Sequence, residues 1–128
     1  MGTLHEASGL RAYADRMQAT LTTHFERNLH KTLHVDGADP IHIVGRPDAL
    51  AGDVVVEHKY RAHGLIGRPR FHEIVQCHLY MWMLGLQRAD IVETFQKHVS
   101  IHSIEFDQKV WTKIVDVLCK QRRNDDLT

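Results

Sequence analysis

Near the start of the chain, apolar residues recur at three- and four-residue spacing: Leu10, Tyr13, Ala14, Met17, Leu21 and Phe25. That period is helical and predicts a helix over residues 3–33, in two pieces around Gly9. Turn-forming residues then gather in HVDGADP, 34–40. Two β-rich runs follow, IHIVGRPDAL (41–50) and DVVVEHKY (53–60), joined by a tight Ala-Gly-Asp turn. RAHGLIGRPR, 61–70, holds two glycines, a proline and three arginines and predicts a mobile basic loop. FHEIVQCHLYMWMLGLQ, 71–87, predicts a helix that Gly85 helps to end. It is apolar nearly all round, so it is expected between the sheet and another layer. DIVETFQ and VSIHSIEF predict two more strands. Asp107 then caps a last helix through Arg123, with Val110, Trp111, Ile114, Val117 and Leu118 on its apolar face.

The expected order is α-β-β-α-β-β-α, with a third early strand if the chain divides near Val35. A mixed sheet with helices on its faces, an α/β (α+β) architecture, is the economical solution. Nothing repeats, so residues 1–123 are expected to form one domain and 124–128 a polar tail.

Composition narrows the class. The 128 residues suffice for one core, and 43% hydrophobic with 25% charged residues is ordinary for a globular domain. The formal net charge is zero, which excludes a global basic field but not a local basic patch. Cys77 and Cys119 both lie in apolar helical contexts and are expected to be free thiols in a reducing compartment. No apolar run is long enough to span a bilayer, and MGTLHEASGLR lacks the apolar centre of a signal peptide. An intracellular protein of cytoplasm or nucleus is expected, not a secreted one, with no membrane partner.

The chemistry lies in GRPDALAGDVVVEHKYR, 45–61. Three valines run into Glu57, His58 and Lys59, and a buried strand carries such charges only when something offsets their desolvation. Glu57 and Lys59 share a face. A turn on Gly52-Asp53 pairs Asp48 directly with Glu57, and one on Ala51-Gly52 makes them diagonal neighbours. Either register puts the two carboxylates roughly 5–8 Å apart at Cβ, whereas a three-residue loop would separate them. Close carboxylates stay ionised only around a cation, and Mg²⁺ suits oxygen ligands. Lys59 beside it can hold a water or a developing oxyanion, a hydrolytic arrangement suited to phosphodiesters. The plainer alternative is a cross-strand ion pair of Lys59 with Asp48 or Glu57.

Pro47-Asp48 followed by Glu57-His58-Lys59 resembles the signature of the PD-(D/E)XK nuclease superfamily. Gln76 and Tyr80 form Gln-x-x-x-Tyr, which is similar to the extra motif of the RecB-like branch. Gly2-Thr3, Glu6 and Tyr13 resemble the first-helix motif of the phage recombination exonucleases (lambda exonuclease and its YqaJ relatives). The resemblance covers roughly residues 2–118. It implies a restriction-endonuclease-like core and a metal-dependent nuclease acting on DNA, an exonuclease of recombination, repair or replication of viral or phage type. It implies Asp48 and Glu57 as metal ligands, with the His58 backbone carbonyl as a third, and Lys59 as the catalytic lysine. Glu6 matches the upstream acid, reaching metal directly or through water, with His5 the competing candidate. Gln76 would orient the lysine, the water or the DNA. The cofactor implied is Mg²⁺, with Mn²⁺ able to substitute. A homo-oligomer or a partner recombination protein fits the same resemblance. A structure-specific or RNA-cleaving endonuclease, or an idle module that binds nucleic acid or protein, are the rival readings.

Arg46, Arg61, Arg68 and Arg70 are the candidate phosphate contacts, because arginine makes forked bonds to phosphate oxygens. Tyr80, one turn beyond Gln76, joins them as a candidate nucleic-acid contact. His72 and Glu73 are expected on a solvated stripe. The pairs His30/His34 and His98/His102 are expected to be ordinary surface histidines, and Trp111 to be core.

Overall fold

The molecule is built around two strands whose side chains are buried on both faces, β4 (Val54–Tyr60) and β5 (Arg88–Phe95). They run parallel, with Val56 opposite Asp90 and Lys59 opposite Glu93, joined by the crossover helix α2 (Phe71–Leu84). Central parallel strands are covered on both faces, which is why VVV and DIV read as continuous apolar runs. β3 (Ala49–Ala51) and β6 (His98–Glu105) add antiparallel edges, giving the mixed order β3-β4-β5-β6. The structure, a computed structural model, describes residues 4–25 and 27–127. Gly2 and Thr3 of the first-helix motif lie outside the described residues, as does Thr128.

Three clusters make the layers. Leu10 and Tyr13 of α1 (Leu4–Met17) pack on Val56 and Val92 on one face. Cys77, Tyr80 and Met81 of α2 pack on Val55, Ala89 and Ile91 on the other. The outer side of α2 meets Leu33, Trp111 and Ile114 from the hairpin β1 (Leu29–Leu33) and β2 (Ile41–Gly45) and from α3 (Gln108–Leu127). Helix α2 is thus enclosed between two layers, as its all-round apolar surface requires. Burying each large apolar side chain contributes about 1.5–3 kcal/mol. Asp107 caps α3 through its Oδ1, which accepts the Lys109 amide at 2.8 Å. Helix α3 extends past Arg123 to Leu127.

The first helix is shorter than its apolar period predicts. It ends at Met17, where Gln18 turns left-handed at φ 50 and the Ala19 amide reaches back to the Ala14 carbonyl at 3.0 Å, a Schellman closure. The chain then runs irregularly. Thr22 exchanges two backbone bonds with Leu50, at 2.8 and 2.9 Å, and Leu21 packs on the α1 cluster. The period persists past Met17 because the segment lies along the same core, not because it is helical. Residues 29–33 are strand β1, so four strands precede α2. The predicted strand 41–50 is two, broken at Arg46-Pro47-Asp48.

Candidate active site

The β3–β4 hairpin sets the site. Its register pairs Ala49 with Val56 and Ala51 with Val54, which puts the turn on Gly52-Asp53. Gly52 takes φ 58, the positive value that the first position of a Gly-first turn needs. Asp48, just before β3, therefore lies opposite Glu57. The two are laced together: the Asp48 amide donates to Glu57 Oε1 at 3.0 Å, and the His58 amide donates to Asp48 Oδ2 at 2.8 Å. Pro47, fully buried, holds the bend that turns Asp48 inward.

Glu57 is 2% exposed. Burial, and then the neighbouring Asp48 carboxylate, push its carboxyl up to about 9, against a smaller opposing pull from Lys59. Glu6, from the first turn of α1, shares a side-chain hydrogen bond with Asp48. Burial and that neighbour raise it to about 6. Three carboxyls, those of Asp48, Glu57 and Glu6, thus converge here. His5 goes elsewhere: its ring stacks on Tyr60 at 3.9 Å on the opposite face of β4. Of the two upstream candidates, Glu6 is the one that stands beside Asp48.

Lys59 does not form the cross-strand ion pair. Its Nζ donates to Gln76 Oε1 at 2.8 Å, and Gln76 Nε2 in turn reaches the Tyr80 hydroxyl at 3.4 Å. Gln76 and Tyr80 are one turn apart on α2, which faces the Glu57–Lys59 side of the sheet. Burial raises the Tyr80 hydroxyl, with Glu57 adding to it, so the phenol stays protonated.

The donor set fits a hard divalent cation. Carboxyls held at about 9 and about 6 mark a place where negative charge lacks a counter-ion. Among the described residues, no three His, Cys, Asp or Glu side chains form a ready-made metal cage. Mg²⁺ does not need one, since it keeps several waters and binds through one or two carboxylates. The His58 amide points at Asp48, and in a strand the carbonyl of the same residue faces the same edge, so that oxygen is a further donor.

Other predicted contacts fall differently. Arg61 is buried, 8% exposed, and pairs with Glu73 at 2.7 and 2.9 Å and with Glu93 at 2.9 Å. Its fork is occupied by carboxylates, which corrects the expectation that it clamps phosphate. Glu73, expected in solvent, is buried as its partner, while His72 is exposed. Tyr80 is also buried, 8% exposed, so it supports Gln76 from the core and does not offer a ring to nucleic acid. Arg68, Arg70 and Arg46 are exposed. Arg46 lies on a cleft of about 730 Å³ whose walls also carry Glu6, Asp48, Arg11 and His24.

Arg11 and His24 had no signal in the sequence, since neither belongs to a motif. Glu93 had one: an acid inside DIVETF needs a partner by the same reasoning that singled out Glu57. Asp90 of the same strand accepts from the Tyr13 hydroxyl at 2.6 Å and from Ser103 at 2.6 Å. His58 packs its ring over Gly9 and shares a 2.6 Å hydrogen bond with the Thr94 hydroxyl.

No protein-family model matches the sequence, and no curated protein matches it significantly. Solved structures share the fold. An alkaline exonuclease, LHK-Exo from Laribacter hongkongensis, superimposes with a TM-score of 0.68 at 19% identity, over 96% of this chain and 72% of its own. The crystal structure of LHK-Exo in complex with dAMP gives 0.71 at 18% identity, over 99% and 73%. The crystal structure of SSO0001 gives 0.63 at 18% identity over 87% of this chain and 54% of its own, so this chain spans about half the length of that protein. At these identities the likeness establishes the fold: a mixed four-stranded sheet with flanking helices, as in an alkaline exonuclease.

Proposed function

We propose that this chain is a metal-dependent nuclease of the PD-(D/E)XK type that hydrolyses DNA phosphodiesters, an exonuclease serving recombination, repair or replication. One observation carries the reading. The acid pair Asp48–Glu57 and the lysine that Gln76 holds stand together on one hairpin, in a fold that an alkaline exonuclease shares.

Asp48, Glu57 and the His58 carbonyl would hold Mg²⁺, or Mn²⁺ in its place, with Glu6 reaching it directly or through water. Bound there, the ion supplies Lewis acidity to a phosphate oxygen and to water. Lys59 presents its ammonium where charge develops on the phosphorane and needs no reorganisation, because Gln76 already fixes it. Glu6, beside Asp48 at the edge of the site, is placed to take a proton from the attacking water. Gln76 positions and Tyr80 supports it from behind. Exposed Arg46, Arg68 and Arg70 would meet backbone phosphates.

The test is incubation with end-labelled linear duplex and with closed circular DNA, single- and double-stranded, in Mg²⁺, Mn²⁺ or EDTA. Metal-dependent loss of linear DNA alone is the expected result. Cutting of circles would make the enzyme an endonuclease, and no cutting of any substrate would leave an idle binding module.

A further inference from the structure

Helix α2 and strand β4 are joined at their ends by a buried charged clamp that the proposed chemistry does not use. Arg61 follows Lys59 by two residues, on the same side of the chain. Its guanidinium grips both oxygens of Glu73, in the first turn of α2, and one oxygen of Glu93 on β5. Glu93 is the register partner of Lys59, and Glu73 precedes Gln76 by three residues. The remaining capacity of the two carboxylates ties down the connecting loop: Glu93 Oε1 accepts the Gly67 amide at 3.0 Å, and Glu73 Oε1 accepts the Arg70 amide at 2.8 Å.

Three buried charges are a poor source of net stability, since well-packed apolar residues of the same volume often serve as well or better. What a forked guanidinium does supply is direction: two parallel bonds fix rotation as well as distance. The element so fixed is the turn of α2 that carries Gln76, whose amide must meet Lys59 at 2.8 Å. We propose that Arg61, with Glu73 and Glu93, is a positioning unit for the Lys59–Gln76 pair. It locks the end of β4 to the start of α2 and so aims the lysine. This inference rests on the nuclease reading for its consequence, though not for its geometry.

The experiment replaces the clamp by apolar residues, Arg61→Met with Glu73→Leu and Glu93→Leu, and in a second variant makes the isosteric change Glu73→Gln. Thermal unfolding, single-turnover cleavage with its KM, and the rate at which an acylating reagent labels Lys59, by peptide mass spectrometry with exposed Lys120 as reference, are read on each. The triple variant should keep its melting temperature within a few degrees. Its cleavage rate should fall about tenfold or more, with KM little changed, because small misplacements of a catalytic group are costly. Lys59 labelling should rise relative to Lys120 in both variants. Unchanged labelling of Lys59 would overturn the proposal, as would wild-type cleavage by a folded triple variant. Should the triple variant not fold, Glu73→Gln decides on the same readouts. Should the parent cut no DNA, the nuclease reading falls, while the labelling still decides the clamp.

Discussion

Glu57 carries the largest unpaid electrostatic cost at the site, and its protonation makes a sharp prediction. Its carboxyl is raised from the ordinary 4.5 to about 9, by burial and then by Asp48. A group raised in the folded state contributes stability that is fully present below its unfolded value and is lost as pH rises through the folded one. The metal-free protein should therefore lose stability between about pH 4.5 and pH 9, and Glu57→Gln should flatten that loss. At pH 8 the variant should melt higher than the parent by roughly 3 °C or more, and at pH 4 the two should agree. Melting curves in EDTA across this range check it; a variant that melts lower throughout would make Glu57 a structural ion-pair partner. At this scale the sequence was informative where partners are local. Asp48 and Glu57 meet across a two-residue turn, and Glu57 and Lys59 alternate on one strand. Arg61 was misread because its partners lie 12 and 32 residues away, and nothing local separates it from its exposed neighbours Arg68 and Arg70.

Among the elements, two features were not visible in hydrophobic period alone. Residues 61–70 are rich in glycine and arginine and were expected to be mobile. The segment is instead pinned at both ends and at Gly67 by the Glu73 and Glu93 carboxylates. Hydrogen exchange followed by NMR should show the Gly67 and Arg70 amides, which donate to these carboxylates, protected well beyond those of His63 and Leu65, which donate to no such acceptor among the described residues. Equal exchange along the loop would restore the mobile reading. Gly9 is the second. Glycine inside a helix ordinarily costs about 1 kcal/mol against alanine. Here a Cβ would overlap the His58 imidazole, which the Thr94 hydroxyl holds in place. Gly9→Ala should therefore destabilise, by about 1–3 kcal/mol, as overpacking does. A thermal shift upward would mean that the ring moves freely. The helix that looked divisible at Gly9 is continuous through this crossing and ends instead at Met17, where the left-handed Gln18 closes it.

For the whole molecule, the sequence foretold the mixed sheet, the enclosed α2 and the capped α3, because each follows from long-range periodicity and a few punctuating residues. It put Leu29–Leu33 in the first helix, since so short a run of mixed polarity has no clear period, and it read 41–50 as one strand where Arg46-Pro47-Asp48 divide it. The layers matter to the site because acids, lysine and glutamine come from three elements: α1 supplies Glu6, the β3–β4 hairpin supplies Asp48, Glu57 and Lys59, and α2 supplies Gln76. Their meeting at the open end of β4 is the central claim, and Lys59→Ala beside Asp48→Asn tests it most directly. Mg²⁺ titration by calorimetry and single-turnover cleavage of linear duplex are measured on each. Lys59→Ala should bind the ion like the parent yet cut about 100-fold more slowly or worse, as expected when a preorganised electrostatic donor is lost. Lys59→Arg should not restore the rate, because a fork does not replace a compact ammonium. Asp48→Asn should lose both ion binding and cleavage. Cleavage at the parent rate by Lys59→Ala, or undiminished ion binding by Asp48→Asn, would contradict the assignment of this hairpin as the hydrolytic centre.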